Sequence, residues 1–262
     1  MVRRGLVTSR ALAREAIERG EVTVDGAPAD KPARLVAPGE ALAVAGPRPR
    51  FVSRGGDKLA AALDRFEVDV VGARVLDAGS STGGFTDCVL QAGAASVVAV
   101  DVGRGQLHQR LRTDDRVDVR ERTNIRHLEP GAVDPPVDLV VGDLSFISLR
   151  TVLDPLFAAL RPGGSLVLLV KPQFEAGRAE ASKHRGVITD PEVWSRVLRE
   201  VAGALRERGA AIMGVMASPL RGADGNVEFL VHAVAPGPDA PVGLADLDDR
   251  IAALCAEVAA AP

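Results

Sequence analysis

The chain has 262 residues, of which 47% are apolar and 26% are charged, and its formal net charge is −3 at pH 7. This composition is typical of a globular protein with an ample core, and no apolar run approaches the roughly 20 residues of a membrane-spanning helix. With only two cysteines and no apolar leader, the sequence argues against a pore-forming protein, a disulfide-rich secreted protein or a zinc module, and we expect a cytoplasmic protein.

The charge is distributed unevenly along the chain. Residues 1–58 hold 11 Lys and Arg against 7 Asp and Glu, whereas the remainder holds 21 against 28. A basic first segment on an acidic body predicts that the first segment contacts a polyanion. Lysine is rare, at four of 32 basic residues, so each lysine is a candidate for a role that arginine cannot fill.

The first 46 residues are predicted to form a small α+β domain. A helix over Arg10–Arg19 follows the capping residues Thr8 or Ser9, and Gly20 ends it. Two short strands come next, at Glu21–Asp25 and Ala41–Ala45. Four arginines of this domain either form a solvated face or contact the polyanion: Arg3, Arg4, Arg10 and Arg14.

A proline-rich linker over residues 47–52 separates this domain from a larger one over residues 53–262, because proline continues neither a helix nor a central strand. Strands and helices then alternate, which predicts an α/β domain with a mostly parallel sheet. The predicted strands are Arg74–Ala78, Ser96–Asp101, Val137–Gly142, Ser165–Lys171, Ala210–Ala217 and Asn226–Ala233. The last two are joined by turn formers and should make an antiparallel hairpin at the sheet edge. A final amphipathic helix carries on one stripe Leu244, Leu247, Ile251 and Leu254.

The strongest local pattern is a glycine- and serine-rich loop that follows the strand Arg74–Ala78 and leads into a helix. Its glycines let the backbone approach a ligand, and the first N–H groups of the helix are free to bind it. The next strand ends at Asp101, whose carboxylate can accept both hydroxyls of an adenosine ribose. We expect contacts to a cofactor from Asp77, Gly79, Ser80, Ser81, Thr82, Gly83, Gly84 and Phe85, together with Asp101, Asn124 and Asp143.

The loop matches neither of the two common phosphate-binding patterns. Its spacing departs from the dinucleotide fingerprint, and no Gly-Lys-Ser/Thr run follows it. Asp77, on the strand itself, would repel a pyrophosphate but suits a positively charged ligand. S-adenosylmethionine, which carries a sulfonium and an ammonium group and no phosphate, fits this description. The alternative is a strand–helix turn that binds nothing.

The strand end Gly142–Phe146 bears on which atom receives a methyl group. It lacks the Asn/Asp-Pro-Pro-aromatic turn that is typical of enzymes methylating exocyclic amines. Methylation at carbon 5 of a pyrimidine needs a cysteine nucleophile, and Cys88 is expected instead to be a small buried side chain in the helix after the loop. Transfer to a hydroxyl is therefore the best-supported chemistry.

Four charged residues are candidates to act on such a hydroxyl: Lys58, Asp143, Lys171 and Glu228. Lys171 ends the strand that follows the strand of Asp143, Lys58 begins a helix, and Glu228 lies within the last apolar strand. Each of them alone is as readily explained as a solvated surface charge. A lysine can release a proton when its surroundings disfavour the ammonium form, whereas an arginine cannot.

These motifs closely resemble the TlyA (hemolysin A) family. The resemblance spans nearly the whole chain and is carried by the runs Ser53–Leu59, Asp77–Asp87, Gly142–Phe146 and Val170–Glu175. It implies an S4-like RNA-binding domain over residues 1–46. The Arg-Leu-Asp segment that usually precedes Arg4–Leu6 in the family is not present, so either this domain is shortened at its start or the chain is given from a late start. Over residues 53–262 the resemblance implies an FtsJ-like domain with the Rossmann-like sheet of class I methyltransferases. The family's Lys-Asp-Lys-Glu tetrad falls on Lys58, Asp143, Lys171 and Glu228.

The resemblance implies methyl transfer from S-adenosylmethionine to the ribose 2′-hydroxyl of a cytidine in ribosomal RNA. Lys171 would take the hydroxyl proton or stabilise the oxyanion, Asp143 would orient Lys171, and Lys58 and Glu228 would position the ribose. The expected partner is ribosomal RNA or a ribosomal subunit, with a monomer as the acting unit and with neither a metal nor a membrane.

Two other interpretations remain. The first is an RNA-binding module whose methyltransferase fold is inactive or acts on another atom. The second is a membrane-lytic protein, as the family's older name suggests, but the chain contains no long apolar segment and no basic amphipathic helix.

Overall fold

The computed structural model of the chain divides into two compact units, Met1–Ser53 and Arg54–Pro262. It describes residues 1–7, 10–18, 20–45, 49–177, 180, 186–222 and 224–261. The predicted helix caps Thr8 and Ser9, the residues 46–48 around the linker and Lys183 lie outside the described residues.

The first unit contains a helix and a three-stranded antiparallel sheet of order β2-β1-β3. These elements are α1 (Arg10–Glu18), β1 (Val22–Val24), β2 (Ala27–Pro28) and β3 (Leu42–Val44). A small core forms because Val22 and Val24 alternate with Thr23 and point inward against Ala16. The predicted helix and both predicted strands are present, and β2 was not predicted because two residues show no periodicity.

The second unit is built around a seven-stranded sheet of order β6-β5-β4-β7-β8-β10-β9. Its strands are β4 (Arg74–Ala78), β5 (Ser96–Val100), β6 (Val117–Arg120), β7 (Val137–Gly142), β8 (Leu160–Val170), β9 (Ala211–Ala217) and β10 (Phe229–Val234). Strands β4 to β8 are parallel, whereas β10 is antiparallel to both β8 and β9. The predicted mostly parallel sheet with an antiparallel hairpin at one edge is therefore confirmed.

Helices follow most of the strands, as expected for an α/β domain. They are α2 (Gly55–Arg65), α3 (Gly84–Gln91), α4 (Gln109–Arg112), α5 (Leu153–Ala159), α6 (Pro172–Glu175), α7 (Pro191–Glu207) and α8 (Leu247–Ala260). Helix α2 packs against α3, and α8 packs against α7 and β9. Cys88 is buried in α3, as predicted for a small packing side chain. Leu244, predicted to lie on the stripe of the last helix, precedes α8.

Strand β8 is longer than the sequence predicted. It begins at Leu160 rather than Ser165 and passes through Pro162-Gly163-Gly164. An irregularity in the pairing with β7, between Val137 and Leu139, absorbs the extra residues. Turn formers thus mark a bulge here rather than a strand boundary.

The prediction that Glu228 lies within a strand is wrong, because β10 begins one residue later, at Phe229. The chain before it is held by Asn226, whose side-chain oxygen accepts the N–H of Ile188 at 3.0 Å and whose amide donates to the carbonyl of Gly186 at 2.8 Å. These bonds tie Asn226 to the segment of Gly186 and Ile188, while the carbonyl of Glu228 still accepts the N–H of Ser218 at 2.8 Å. Strand β6 was not predicted, because its four residues are half polar and lie at the sheet edge.

The topology places the predicted site residues at the end of the sheet where the parallel strands terminate. Parallel strands β4, β5, β7 and β8 all end there, and α3 and α6 begin there. Because β10 runs antiparallel to β8, the residues before β10 lie at this same end of the sheet. Ligands of such sheets bind outside the carboxyl ends of the strands.

Candidate active site

The loop between β4 and α3 lies tightly against the end of β7. Gly79 has a φ of +85°, and a Cβ atom added there would lie 2.8 Å from the carbonyl oxygen of Asp143. The N–H groups of Gly79 and Ser80 donate to the carbonyl of Val100 at 2.9 and 3.1 Å. Glycine is needed both for the positive φ and for the close approach, so this residue allows the loop to be held between two strands.

Asp77, at the carboxyl end of β4, is fully buried. Its Oδ2 atom accepts a hydrogen bond from the Thr86 hydroxyl at 2.6 Å, whereas its Oδ1 atom has no partner among the residues that the structure describes. Burial raises the pKa of Asp77 to about 7, and the Asp143 and Asp101 carboxylates raise it as well, against the lowering effect of Thr86. A cationic ligand would stabilise the ionised form, so the site fits a cofactor with ammonium and sulfonium groups.

Asp101 follows β5 and joins two loops. Its Oδ2 atom accepts the N–H of Ser81 at 2.8 Å, and its Oδ1 atom accepts the N–H of Gly103 at 2.6 Å. Each oxygen keeps a second lone pair, so the carboxylate can still accept ribose hydroxyls in an orientation that the backbone sets.

The other predicted cofactor contacts differ in exposure. The side chain of Asn124 is exposed and accepts the N–H of Arg126 at 3.1 Å, so it caps the short turn over Ile125–His127. Ser81 is exposed and Thr82 is partly so. The buried members of the set are Ser80, Gly83, Gly84 and Phe85.

Lys171 and Asp143 form an ion pair at the ends of the adjacent strands β8 and β7. The Nζ atom of Lys171 lies 2.6 Å from Oδ1 of Asp143 and donates to the Ser145 hydroxyl at 2.8 Å. Lys171 is buried, and Asp143 is partly buried beside the loop of Gly79. The ammonium group is thus fixed by two oxygens next to the predicted cofactor loop.

Lys58 and Glu228 form a second ion pair, and both side chains are buried. Lys58 lies in the first turn of α2, and Glu228 directly precedes β10. Because the antiparallel register sets Phe229 opposite Val170, Glu228 and Lys171 are the next residues along from that pair. The structure therefore brings the four charged candidates together as two ion pairs at the carboxyl ends of the parallel strands.

Sequence reasoning missed the residues that hold the segment after Asp143. Buried Glu175 accepts the N–H of Leu149 at 2.6 Å and the hydroxyl of Ser148. Burial raises the pKa of Glu175, whereas its bonds to Ser148, Leu149 and Arg150 lower it. Glu175 ends a motif that the sequence singled out, but its partners lie 26 and 27 residues away and no local pattern connects them.

An exposed aromatic side chain lies near the Lys171–Asp143 ion pair. Phe146 is 91% exposed, has a φ of +65°, and lies with its ring centroid 5.1 Å from that of Phe174. The Nζ atom of Lys171 lies 5.9 Å from the centroid of Phe174. The site thus offers an aromatic face to solvent at its rim.

The four arginines predicted to contact RNA differ in their surroundings. The guanidinium group of Arg4 donates to the carbonyls of residues 37, 38 and 40 at 2.7, 3.3 and 2.6 Å. Exposed side chains are found at the other three, Arg3, Arg10 and Arg14. Arg4 therefore holds a loop of the first unit, whereas the other three present their charges to solvent.

Two family models match the chain. The model of the FtsJ-like methyltransferase matches residues 51–234, and the model of the S4 domain matches residues 1–42. The first match covers more than half of the chain and includes all four charged candidates. Fold and match together define an FtsJ-like methyltransferase that carries an S4 domain.

Individual relatives show which family of FtsJ-like methyltransferases the chain resembles. The chain is 51% identical to the 16S/23S rRNA (cytidine-2′-O)-methyltransferase TlyA of Mycobacterium tuberculosis over 88% of this chain and 86% of the relative. It is 35% identical to Hemolysin A of Brachyspira hyodysenteriae over 88% and 95%. A solved structure of a provisionally assigned hemolysin from Streptococcus thermophilus superposes with a TM-score of 0.79 at 38% identity, covering 96% of this chain and 90% of that one. The chain belongs to the TlyA family.

The family's two names suggest different activities, and one further observation bears on them. In the ranges that the structure describes, no helix is long and apolar enough to cross a membrane. The site, by contrast, contains two ion pairs beside the loop that the sequence predicted to bind a methyltransferase cofactor.

Proposed function

We propose that this protein transfers a methyl group from S-adenosylmethionine to the 2′-hydroxyl of a cytidine in ribosomal RNA. The observation that carries the proposal is the Lys171–Asp143 ion pair, 2.6 Å long, beside the Gly79 loop and the Lys58–Glu228 pair. The TlyA relative from Mycobacterium tuberculosis is named for this reaction on 16S and 23S rRNA. A buried lysine held by a carboxylate is suited to act on a hydroxyl, which has a proton to lose.

S-adenosylmethionine supplies an already activated methyl group when it is bound. Asp77, whose buried Oδ1 atom has no partner in the described ranges, would hold the positive end of the cofactor, and Asp101 would hold the ribose hydroxyls. Gly79 would let the β4 loop lie against the end of β7, so that the loop backbone can approach the cofactor.

As a neutral amine Lys171 takes the proton of the ribose hydroxyl, or as an ammonium group it stabilises the oxygen as it attacks. Asp143 and Ser145 fix the direction of the Lys171 amine, at 2.6 and 2.8 Å. Lys58 and Glu228 position the ribose from the β10 side of the site. Positioning contributes most of the rate, because the methyl donor is already activated.

The S4 unit supplies phosphate contacts through its exposed arginines, and these fix where the RNA binds without selecting a base. An RNA ribose is a natural target, because its 2′-hydroxyl is what distinguishes RNA from DNA. We take the acting unit to be a single chain, since all four charged candidates come from one chain, and its compartment to be the cytoplasm, where ribosomal subunits are assembled.

The test is methyl transfer from tritiated S-adenosylmethionine to unmethylated small subunits, large subunits and naked ribosomal RNA. We expect label in RNA, at an alkali-resistant linkage that marks a modified ribose. Cofactor binding without label on any of the three substrates would contradict the proposal and favour the inactive RNA-binding module.

The Lys171→Ala variant is expected to lose methyl transfer by about 10² to 10⁴-fold while it keeps RNA binding, because only the group that handles the proton is removed. Lys171→Arg keeps the charge but cannot take a proton, so partial activity would assign oxyanion stabilisation and none would assign proton removal. Arg208→Ala is the control variant, because Arg208 precedes β9 at the end of the sheet opposite to the site. Near-normal transfer by Lys171→Ala would refute the role of the ion pair.

A further inference from the structure

Glu175, the last residue of α6, binds three consecutive residues of the segment that follows β7. We call this segment, residues 143–150, the β7 loop. The Oε1 atom of Glu175 accepts the N–H of Leu149 at 2.6 Å, and its Oε2 atom accepts the Ser148 hydroxyl. Arg150 donates to the Glu175 carbonyl at 3.0 Å, and its Nε atom lies 3.5 Å from Oε2. The Glu175 carboxylate, only 3% exposed, thus holds one end of the β7 loop, and Glu200 of α7 adds an ion pair to Arg150 at 3.0 Å.

The other end of the β7 loop carries the groups that surround the Lys171 amine. Asp143 and Ser145 contact Nζ of Lys171 at 2.6 and 2.8 Å. Between the two ends, the ring of Phe146 lies 5.1 Å from that of Phe174 in α6. The β7 loop is therefore attached to the chain after β8 at both ends and in the middle.

The burial of Glu175 is not explained by stability alone. A buried carboxylate must be compensated by its hydrogen bonds, and a well-packed apolar side chain of similar size is often at least as stabilising. Hydrogen bonds to a carboxylate are nevertheless short and directional, so they fix geometry better than apolar packing does. The arrangement therefore suits a residue whose task is to hold a loop in one position.

We propose that Glu175 is a positioning residue for methyl transfer. By binding Ser148 and Leu149 it fixes the β7 loop, and through the loop it fixes the direction in which Asp143 and Ser145 hold the Lys171 amine. This inference rests on the proposed function, in which that amine acts on the ribose hydroxyl. A misplacement of about 1 Å at such a group costs on the order of 10²-fold in rate.

The test compares Glu175→Ala, Glu175→Gln and a control with a damaged core, Ile251→Ala. Ile251 is fully buried in α8, which packs on α7 and β9, so its truncation lowers stability without removing any hydrogen bond between Glu175 and the β7 loop. Glutamine can still accept from the N–H of Leu149 and donate to the hydroxyl of Ser148. All variants are compared at temperatures that give the same folded fraction.

Two measurements are made on each full-length variant. Hydrogen exchange of peptides covering the β7 loop should accelerate at least tenfold in Glu175→Ala and stay unchanged in Ile251→Ala. The single-turnover rate of methyl transfer at saturating RNA and cofactor should fall on the order of 10²-fold in Glu175→Ala, with both dissociation constants within about threefold of wild type. Glu175→Gln should recover most of the rate.

Unchanged exchange in the β7 loop of Glu175→Ala, or a transfer rate equal to that of Ile251→Ala, would overturn the proposal. So would a loss confined to cofactor or RNA affinity, since positioning acts on the saturated rate. If wild-type protein transferred no methyl group to ribosomal RNA, the proposed function would fail. Hydrogen exchange would then decide by itself whether Glu175 fixes the loop.

Discussion

Among the individual side chains, Asp77 combines complete burial with an oxygen that has no partner in the described part of the chain. The sequence predicted that Asp77 lies on a strand and faces a cationic ligand, because a carboxylate at this position would repel a pyrophosphate. It could not predict that Thr86 would satisfy only one of the two oxygens. That depends on how α3 packs beside β4, and it determines how strongly the ionised carboxylate is disfavoured without a ligand.

The stability of the cofactor-free protein should therefore fall as the pH rises from about 4 to 7. The pKa of Asp77 is about 7 in the folded protein against 3.8 ordinarily, so within this range the folded chain holds a proton that the unfolded chain has lost. The contribution is about 1.4 kcal/mol per pH unit, and Asp77→Asn should remove it. Urea unfolding of both proteins at several pH values measures the difference, and parallel curves would contradict the prediction.

Cofactor affinity should change with pH in the opposite direction. Below pH 7 the cationic ligand must displace the proton of Asp77, so the affinity for S-adenosylmethionine should rise with pH by up to about tenfold per unit and level off above pH 7. Isothermal titration calorimetry in buffers of different ionisation enthalpy should detect the released proton. Binding that is independent of pH between 5.5 and 7.5 would show that Asp77 does not face the positive end of the cofactor.

The loop after β4 is the element whose backbone the sequence predicted best. A run of glycine and serine between a strand and a helix has few alternatives, and the predicted strand Arg74–Ala78 and the start of α3 are both where expected. The contact of Gly79 with the carbonyl of Asp143 could not be predicted, because the two residues directly follow strands that are paired only in the folded sheet.

Gly79→Ala should weaken cofactor binding, with Gly72→Ala as its matched control. Both glycines have positive φ, +85° and +72°, but only at Gly79 would a Cβ atom meet another strand, at 2.8 Å. Both variants should lose about 1 kcal/mol of stability from backbone strain, and Gly79→Ala should lose more. Only Gly79→Ala should bind S-adenosylmethionine at least about tenfold more weakly, an energy of about 1.4 kcal/mol. Equal affinities in the two variants would exclude the close approach as the cause.

Other elements show where local patterns are insufficient. Glu228 was predicted inside a strand because it is flanked by apolar residues, yet the regular strand begins at Phe229, after Asn226 has bonded to Ile188 and Gly186. Polar side chains that leave the ladder to anchor a distant segment cannot be recognised from alternation alone.

The two units of the chain should contribute separately to RNA binding and to methyl transfer. Replacing Arg10 and Arg14 together by Ala should weaken RNA binding similarly for all sequences and reduce the salt dependence by about one unit per arginine, because in the proposed function each exposed charge would contact a phosphate. The Arg4→Ala variant should instead destabilise the first unit, since its guanidinium group binds three backbone carbonyls. Fluorescence anisotropy over a range of salt concentrations and thermal unfolding measure the two effects. An unchanged salt dependence in the double variant would remove these arginines from the interface.

The family and the class of fold could be predicted from the sequence, because the motifs are short runs with their own composition and because strands and helices alternate. The roles of the cofactor loop and of the four charged residues stay predictions, drawn from the same motifs. The arrangement of these residues could not be predicted. Lys58 and Glu228 are 170 residues apart and meet because β10 inserts between β8 and β9. Glu175 reaches the β7 loop because β7 and β8 are neighbours. Such pairings are selected by the register of hydrogen-bonded strands and by the burial of their faces, which are properties of the whole sheet and of no single segment.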